Sequence, residues 1–220
     1  MKVDMEDQME PSQKTSKLLA QPLAIILLIM AAAFAITAVV IPVKHLIQSD
    51  SASATVNIEA APSTQLLNQI NTLPPDITLS PANDAGLTVV ATVNGDEQPV
   101  PLYLRILTDL GTSVWALAVA LITVLLAMVL ASISTSNPFH LRNASRITWI
   151  ALAILIGSVG ADSLNLMQAH LLANYAGFRP PLDVVAYYSW TPVLLSLLMF
   201  VLAYAFRRGQ EIQDDVEGLV

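Results

Sequence analysis

One charged residue lies inside a long apolar stretch of this sequence, and polar residues recur beside it. Asp162 is the only Asp, Glu, Lys or Arg within residues 147–167, and Ser158 and Asn165 flank it. The spacing i, i+4 and i+7 places these three side chains on one face of a helix. In a membrane-spanning helix, such a face is typical of a path for protons or a small solute. A structural role for Asp162, reached by water close to the membrane surface, is favoured because the stretch offers no second charge for a relay.

The sequence offers no residue set for other kinds of chemistry. It has no Cys, which excludes disulfides, thiol catalysis and zinc–thiolate sites. A membrane-embedded enzyme needs paired acids, an acid–base dyad or metal ligands at membrane depth, and the apolar stretches contain none. His140 and His170 are expected on opposite sides of the membrane. We therefore predict no enzymatic activity, no cofactor and no metal site.

The composition is that of a membrane protein. Apolar residues make up 55% of the chain and charged residues only 12%, about half of what an ordinary soluble protein carries. A soluble fold of this length would have too little charge to cover its surface. The net charge of −7 argues against direct binding to nucleic acid, because phosphate contacts require clustered Lys and Arg.

Four apolar windows are long enough to cross a bilayer, which takes about 20 residues. They cover residues 18–41, 111–133, 147–167 and 184–206. The first is much longer than the apolar core of a signal peptide, so we expect an uncleaved helix there. Basic residues set the orientation, because they accumulate on the cytoplasmic side of a span. The predicted cytoplasmic segments, which include both termini, carry Lys2, Lys14, Lys17, Arg142, Arg146, Arg207 and Arg208, whereas the outer segments carry Lys44, Arg105 and Arg179.

The segment between the first two windows, residues 42–110, is too long for a simple loop. Its stretches ATVNIEA, DITLS and LTVVATV are rich in Val, Ile and Thr, which is typical of strands. A fourth strand is predicted in VPLYLRIL, paired with the third through a hairpin at Asn94 and Gly95. The segment therefore predicts a small β-rich domain outside the cytoplasm.

The cytoplasmic turn between the second and third windows reads STSNPFHLRNASRITW. Asn137 is a good cap for a helix that has Pro138 at its first position, so the third helix is expected to start there. Arg142 and Arg146 can then reach lipid head groups while the apolar face lies on the membrane. An ordinary interfacial helix start explains this pattern, and a docking surface is the alternative.

Two motifs in the second half of the chain resemble the bacterial membrane-protein family called domain of unknown function 2975. The residues that match are Asn137, Pro138, Phe139, Asn143 and Arg146 in the turn, and Phe206, Arg207 and Gly209 with the acidic tail up to Val220. The chain departs from the family at its end, where Leu219 and Val220 stand in place of the usual Thr-Val pair. The resemblance implies a four-helix protein of the bacterial inner membrane with a regulatory partner, a small helix-turn-helix transcription regulator in the cytosol. It implies no enzymatic activity.

The C-terminal tail has an apolar face and an acidic one. Ile212, Val216 and Leu219 recur at i, i+4 and i+7, the spacing of a helical face. The acidic side is supplied by Glu211, Asp214 and Asp215. So short a helix is unstable alone, so we expect it to fold on a basic partner. A solvated tail without a partner is the alternative.

Together the patterns predict an all-α transmembrane protein: a four-helix membrane bundle with a small β-rich extracytoplasmic domain between helices 1 and 2. Its expected function is regulatory or scaffolding and non-enzymatic, and its alternative is a small transporter or channel component that uses the polar face of helix 3. The lipid bilayer is its predicted environment, and the sequence leaves a homo-oligomer open. The predicted segments are a cytoplasmic arm 1–17, helix 1 at 18–41, the β-rich domain 42–110, helix 2 at 111–133, the cytoplasmic turn 134–146, helix 3 at 147–167, an outer loop 168–183, helix 4 at 184–206 and the cytoplasmic tail 207–220.

Overall fold

Four long helices account for most of the residues described by the computed structural model, which are 11–48, 51–58, 77–81, 88–94, 100–133, 141–177, 182–183 and 189–217. They are α1 (Pro11–Gln48), α2 (Leu102–Ile133), α3 (Leu141–Ala176) and α4 (Trp190–Glu217). Each contains a stretch that is long and apolar enough to cross a membrane. Among the described residues, the prediction of four helices that are long and apolar enough to span a membrane is therefore confirmed.

Helix 2 ends at Ile133, as predicted, but the other described helix ends differ from the predicted ones. α1 and α3 extend beyond 18–41 and 147–167 at both ends, and α4 runs from Trp190 to Glu217. Residues 168–176, predicted as part of an outer loop, therefore belong to α3. An apolar window marks only the part of a helix that lipid would surround, whereas neighbouring polar residues continue the same hydrogen-bond ladder. The 38 residues of α1 span about 57 Å, against about 30 Å for a hydrocarbon core.

The segment VPLYLRIL, residues 100–107, is not the strand that the sequence predicted. α2 begins inside it, at Leu102, instead of at residue 111. The carbonyl of Pro101 accepts a hydrogen bond from the Leu104 amide at 3.0 Å, which is the first turn of the helix. Proline has no N–H for a strand ladder but fits the start of a helix, so the same residue that weakens a strand here favours α2.

Short strands form one antiparallel sheet, with the order β2-β3-β1-β4. The strands are β1 (Ser51–Ile58), β2 (Ile77–Pro81), β3 (Thr88–Asn94) and β4 (Leu182–Asp183). The first three overlap the strand segments that the sequence predicted, whereas β4 follows α3 and was not predicted. The hairpin predicted at Asn94 and Gly95 lacks its second strand, because that segment belongs to α2. β3 pairs with β1 and β2 instead.

The chain divides into two compact units. The first unit is Met1–Ile36, Ala116–Gly157 and Ser189–Val220, and the second unit is Thr37–Trp115 and Ser158–Tyr188. Inside the first unit, α2, α3 and α4 pack around a small apolar core. It consists of Val129, Ile147 and Ala203, with Met199 and Phe206 packed against them. One residue from each of three helices thus fixes how these helices meet in the first unit.

The second unit combines the sheet with parts of the helices. Ala52 of β1 and Val93 of β3 lie opposite each other in the sheet, and both side chains are buried. Gln168 of α3 is also buried, and its side-chain amide donates a hydrogen bond to the carbonyl of Ser53 in β1. A buried amide that pairs with a strand carbonyl fixes the sheet to α3 within this unit.

Candidate functional site

A cluster of polar groups joins α2 to α3 in the first unit. Asn143 of α3 is fully buried, and its Nδ2 donates to the Ser132 hydroxyl of α2 at 3.0 Å. Arg146 of α3 donates from Nη1 to the Asn143 Oδ1 at 3.1 Å and to the Met128 carbonyl of α2 at 2.9 Å. We call these four residues, Met128, Ser132, Asn143 and Arg146, the arginine–asparagine cluster.

The residue types of the cluster suit a junction between two helices. A helix carbonyl keeps a second lone pair after it has accepted its own helical hydrogen bond, so Met128 can accept from Arg146 without breaking α2. The Asn143 side chain has a donor end and an acceptor end, and both are satisfied. A buried amide without partners would cost about 1–3 kcal/mol, so Asn143 makes the contact between α2 and α3 specific.

A cavity of about 270 Å³ lies beside this cluster, within the first unit. Its lining consists of Met128, Ala131, Ser132, Arg142 and Arg146. Two of these five described residues are arginines and none is acidic, so together they carry a net positive charge. Arg142 is exposed and Arg146 is partly buried. The arrangement can attract and hold an anion.

The structure places three of the six residues predicted as a motif in the cytoplasmic turn at this cluster or at the cavity beside it. Asn143 and Arg146 belong to the cluster, and Arg142 lines the cavity. The remaining members of the motif, Asn137, Pro138 and Phe139, lie outside the described residues. The helix start predicted at Pro138 stays a prediction, because the described part of α3 begins at Leu141.

The described tail residues lie on a continuation of α4. The sequence analysis had predicted a separate short helix instead. Glu211, Ile212 and Asp215 are exposed, with Ile212 showing 57% of its surface. Glu211 pairs with Arg208 at 2.5 Å on the same helix. Asp214 and Val216 are helical, and their side chains lie outside the description, as does Leu219 altogether. A helix that continues from a membrane span needs no nucleation of its own, which explains the difference.

The polar face predicted on α3 does not form one uniform surface. Ser158 is buried, Asp162 is partly buried and Asn165 is exposed, all three in the second unit. Within the described part of the chain, the Asp162 carboxylate forms neither a hydrogen bond nor an ion pair. Asn165 has a packing role, because its side chain lies against Gly111 of α2.

α2 lies very close to α3 at Gly111, in the second unit. A Cβ atom at this position would lie 2.7 Å from the Asn165 Cγ and 2.9 Å from the Ala161 carbonyl oxygen. Ala161 is itself a small residue, and small residues at a helix contact let the two backbones approach each other closely. The missing side chain at Gly111 is therefore what allows the two backbones to touch.

Sequence reasoning missed a set of charged residues in the second unit, which we call the histidine–aspartate clasp. The His45 Nδ1 of α1 lies 2.7 Å from the Asp109 carboxylate of α2. Arg105 of α2 donates from Nη2 to the Leu46 carbonyl at 2.5 Å. Arg105 and Asp109 stand at i and i+4, which on a helix puts them on one face. That signal was hidden because residues 100–107 were interpreted as a strand.

Among the described residues, no group of three or more His, Cys, Asp or Glu side chains is placed to hold a metal ion. Comparison with protein-family models, with curated proteins and with solved structures gives no match. The functional argument therefore depends on the chain's own residues.

Proposed function

We propose that this is a non-enzymatic multi-pass membrane protein with a regulatory or scaffolding role, whose C-terminal tail docks a cytosolic partner. The observation that carries the proposal is the uninterrupted run of α4 to Glu217 with exposed Ile212 near its end. At about 1.5 Å per residue, the 28 residues of α4 span about 42 Å, longer than the hydrocarbon core of about 30 Å. About two turns of helix therefore project beyond the lipid.

A helix that is already formed is a favourable docking element. Binding then costs less ordering entropy than it would for a segment that folds as it binds. Ile212 supplies an apolar contact, and Glu211 and Asp215 give the projecting end an acidic character. A partner that covers Ile212 would therefore present a basic surface around an apolar groove.

The partner class follows from that charge and from the family resemblance described above. A small helix-turn-helix transcription regulator has a basic surface, because it must bind DNA phosphates. For such a partner to reach the tail, both termini must face the cytosol of a bacterial cell, as the distribution of Lys and Arg predicts. The strands that follow α1 in sequence would then belong to an extracytoplasmic β-rich domain.

The test is photo-crosslinking in intact cells with a reactive residue at position 208, one turn before Ile212 on the same face of α4, followed by identification of the adduct. We expect a small, basic, DNA-binding protein, and the adduct should disappear when the chain is stopped after this position. Ile212→Ala should weaken capture strongly, whereas Gln213→Ala, one residue further around the helix, should leave it unchanged. Adducts with lipid alone, or equal capture by both variants, would rule out the docking role.

The second candidate function, a small transporter or channel component, depends on one observation. Asp162 is a partly buried carboxylate within a candidate span and has no partner among the described residues. Under this alternative, Asp162→Asn would abolish a flux measured in proteoliposomes, and removal of the tail would leave that flux intact. The different exposure of Ser158 and Asn165 makes a continuous path along α3 the weaker explanation.

A further inference from the structure

The cavity beside the arginine–asparagine cluster lies at the ends of two membrane spans. The candidate span of α2 ends at Ser132, and that of α3 begins at Arg142. Both residues line the cavity. At this position a helix leaves the hydrocarbon core and meets the lipid head groups, so the cavity opens where phospholipid phosphates are concentrated.

Two arginines line the cavity. Arg142 and Arg146 stand one helical turn apart on α3, close enough to repel each other. None of the described residues that line the cavity is acidic. An anion held between the two guanidinium groups would reduce the repulsion between them.

Arg146 is held in place in a way that leaves part of its guanidinium available. Its Nη1 is engaged by Met128 and Asn143, and Asn143 is in turn fixed by Ser132. Within the described part of the chain, Nε and Nη2 of Arg146 have no partner. These two atoms form the edge with which arginine binds the oxygens of phosphate in a bidentate manner. The cluster therefore prepares the guanidinium for such a ligand.

The size and lining of the cavity agree with a head group as its ligand. A volume of about 270 Å³ is slightly below the range of about 300–1,000 Å³ for drug-sized ligands, but it far exceeds that of a single water. Met128 and Ala131 supply an apolar wall on the side of α2. Such a wall suits the glycerol and first methylene groups that follow a lipid phosphate.

We propose that this cavity binds a phosphate group, carried by an anionic phospholipid, between Arg142 and Arg146. This site goes beyond the proposed function, since it does not involve the tail of α4. Arg146 supplies the bidentate edge and Arg142 adds the second positive charge. Asn143 is a positioning residue that orients Arg146 without touching the ligand.

The test uses the quenching of tryptophan fluorescence by brominated lipid in the full-length protein. Trp149 is exposed and lies less than one turn beyond Arg146 on α3, so a lipid in the cavity brings bromine close to it. Trp115→Phe and Trp190→Phe remove the other two tryptophans and leave Trp149 as the reporter. Brominated phosphatidylglycerol is titrated into phosphatidylcholine micelles that contain this protein.

Four variants in that background separate the cavity from general surface charge. Arg146→Gln should raise the phosphatidylglycerol fraction needed for half-quenching about tenfold, because it loses a charge-assisted hydrogen-bonded pair. Arg142→Gln should raise it about fivefold, the effect of one basic residue near an anionic surface. Arg146→Lys should lie in between. Arg207→Gln is the matched control, since Arg207 is equally charged and exposed but does not line the cavity.

The outcomes decide both the site and the source of the phosphate. Equal shifts for Arg146→Gln and Arg207→Gln, or no preference for phosphatidylglycerol over phosphatidylcholine, would overturn the proposal. Reversal of quenching by millimolar inorganic phosphate would support the site with a soluble phosphate as a competing ligand, and no reversal would support the lipid alone. Because Arg146→Gln removes contacts to α2, its thermal unfolding is measured in parallel. If that variant is unfolded, Arg142→Gln and Arg146→Lys decide the proposal.

Discussion

The two units of this chain join their helices with the same kind of contact but surround it with different charges. In the first unit, Arg146 of α3 donates to the Met128 carbonyl of α2. In the second unit, Arg105 of α2 donates to the Leu46 carbonyl of α1. Each arginine thus binds the backbone of a neighbouring helix, a contact that does not depend on the partner's side chain.

The residues beside the two arginines differ. Arg105 has Asp109 one turn away on its own helix, and that carboxylate lies 2.7 Å from the His45 Nδ1. Arg146 has the neutral amide of Asn143 instead. Charge in the histidine–aspartate clasp is therefore balanced by its own residues, whereas the arginine–asparagine cluster keeps a net positive charge. A balanced set needs no further ligand, and an unbalanced one at a membrane boundary attracts an anion.

The largest effect is expected from filling the contact at Gly111, which would show that the second unit depends on close packing as well as on its clasp. Gly111→Ala places a methyl group 2.9 Å from a backbone oxygen of α3, and overpacking of this kind costs about 1–3 kcal/mol. Gly160→Ala is the matched control, because its nearest neighbour would be a Val114 methyl at 3.8 Å. Unfolding in a denaturing-detergent titration measures both. If Gly111→Ala is as stable as Gly160→Ala, the helices are not in contact there.

The second-largest effect is expected when a carboxylate is placed beside Arg146 in the first unit, as Asp109 lies beside Arg105 in the second. Asn143→Asp retains an acceptor for Arg146, and the Ser132 hydroxyl can donate to the new carboxylate, so the contact between α2 and α3 should survive. The carboxylate would neutralise Arg146, and we expect the affinity for phosphatidylglycerol to fall about tenfold, as for loss of the arginine. Asn165→Asp, the same change at an exposed position of α3, should leave the affinity unchanged.

Normal lipid binding by Asn143→Asp would mean that the charge difference between the two units has no functional consequence. Thermal unfolding of the same variant provides the second readout. A fall in stability together with lost binding would assign Asn143 a structural role alone. Lost binding at unchanged stability would support its positioning of Arg146.

The membrane spans were predictable because their signal is local. Long runs without Asp, Glu, Lys or Arg are required by the cost of burying charge in lipid, so hydropathy identifies all four helices. The ends of the helices were less predictable. Residues 100–107 alternate well enough for a strand, but Pro101 and the burial of Leu104 and Leu107 at helical spacing favour α2. These three residues, Pro101, Leu104 and Leu107, therefore distinguish the helical pattern from the strand pattern in this segment.

The contacts between helices were not predictable from the sequence. Asn143 and Arg146 were identified as motif residues, but their partners Ser132 and Met128 depend on how α2 and α3 are rotated about their axes. Hydropathy does not encode that rotation when most of each helix is apolar all round. The clasp was missed for a different reason, because Arg105 and Asp109 share a face only if residues 102–110 are helical.

The smallest effect is expected from opening the clasp. Asp109→Asn removes the carboxylate from its pair with His45, whose side chain is 38% exposed, so screening by solvent limits the loss to less than about 1 kcal/mol. Asp162→Asn is the matched control, because that carboxylate has no partner among the described residues and its neutralisation should not destabilise the protein. Detergent-induced unfolding at low and high salt measures both variants, and the difference between them should shrink as salt screens the pair. A difference that persists unchanged at high salt would mean that Asp109 acts through packing, and the charge balance of the second unit would lose its support.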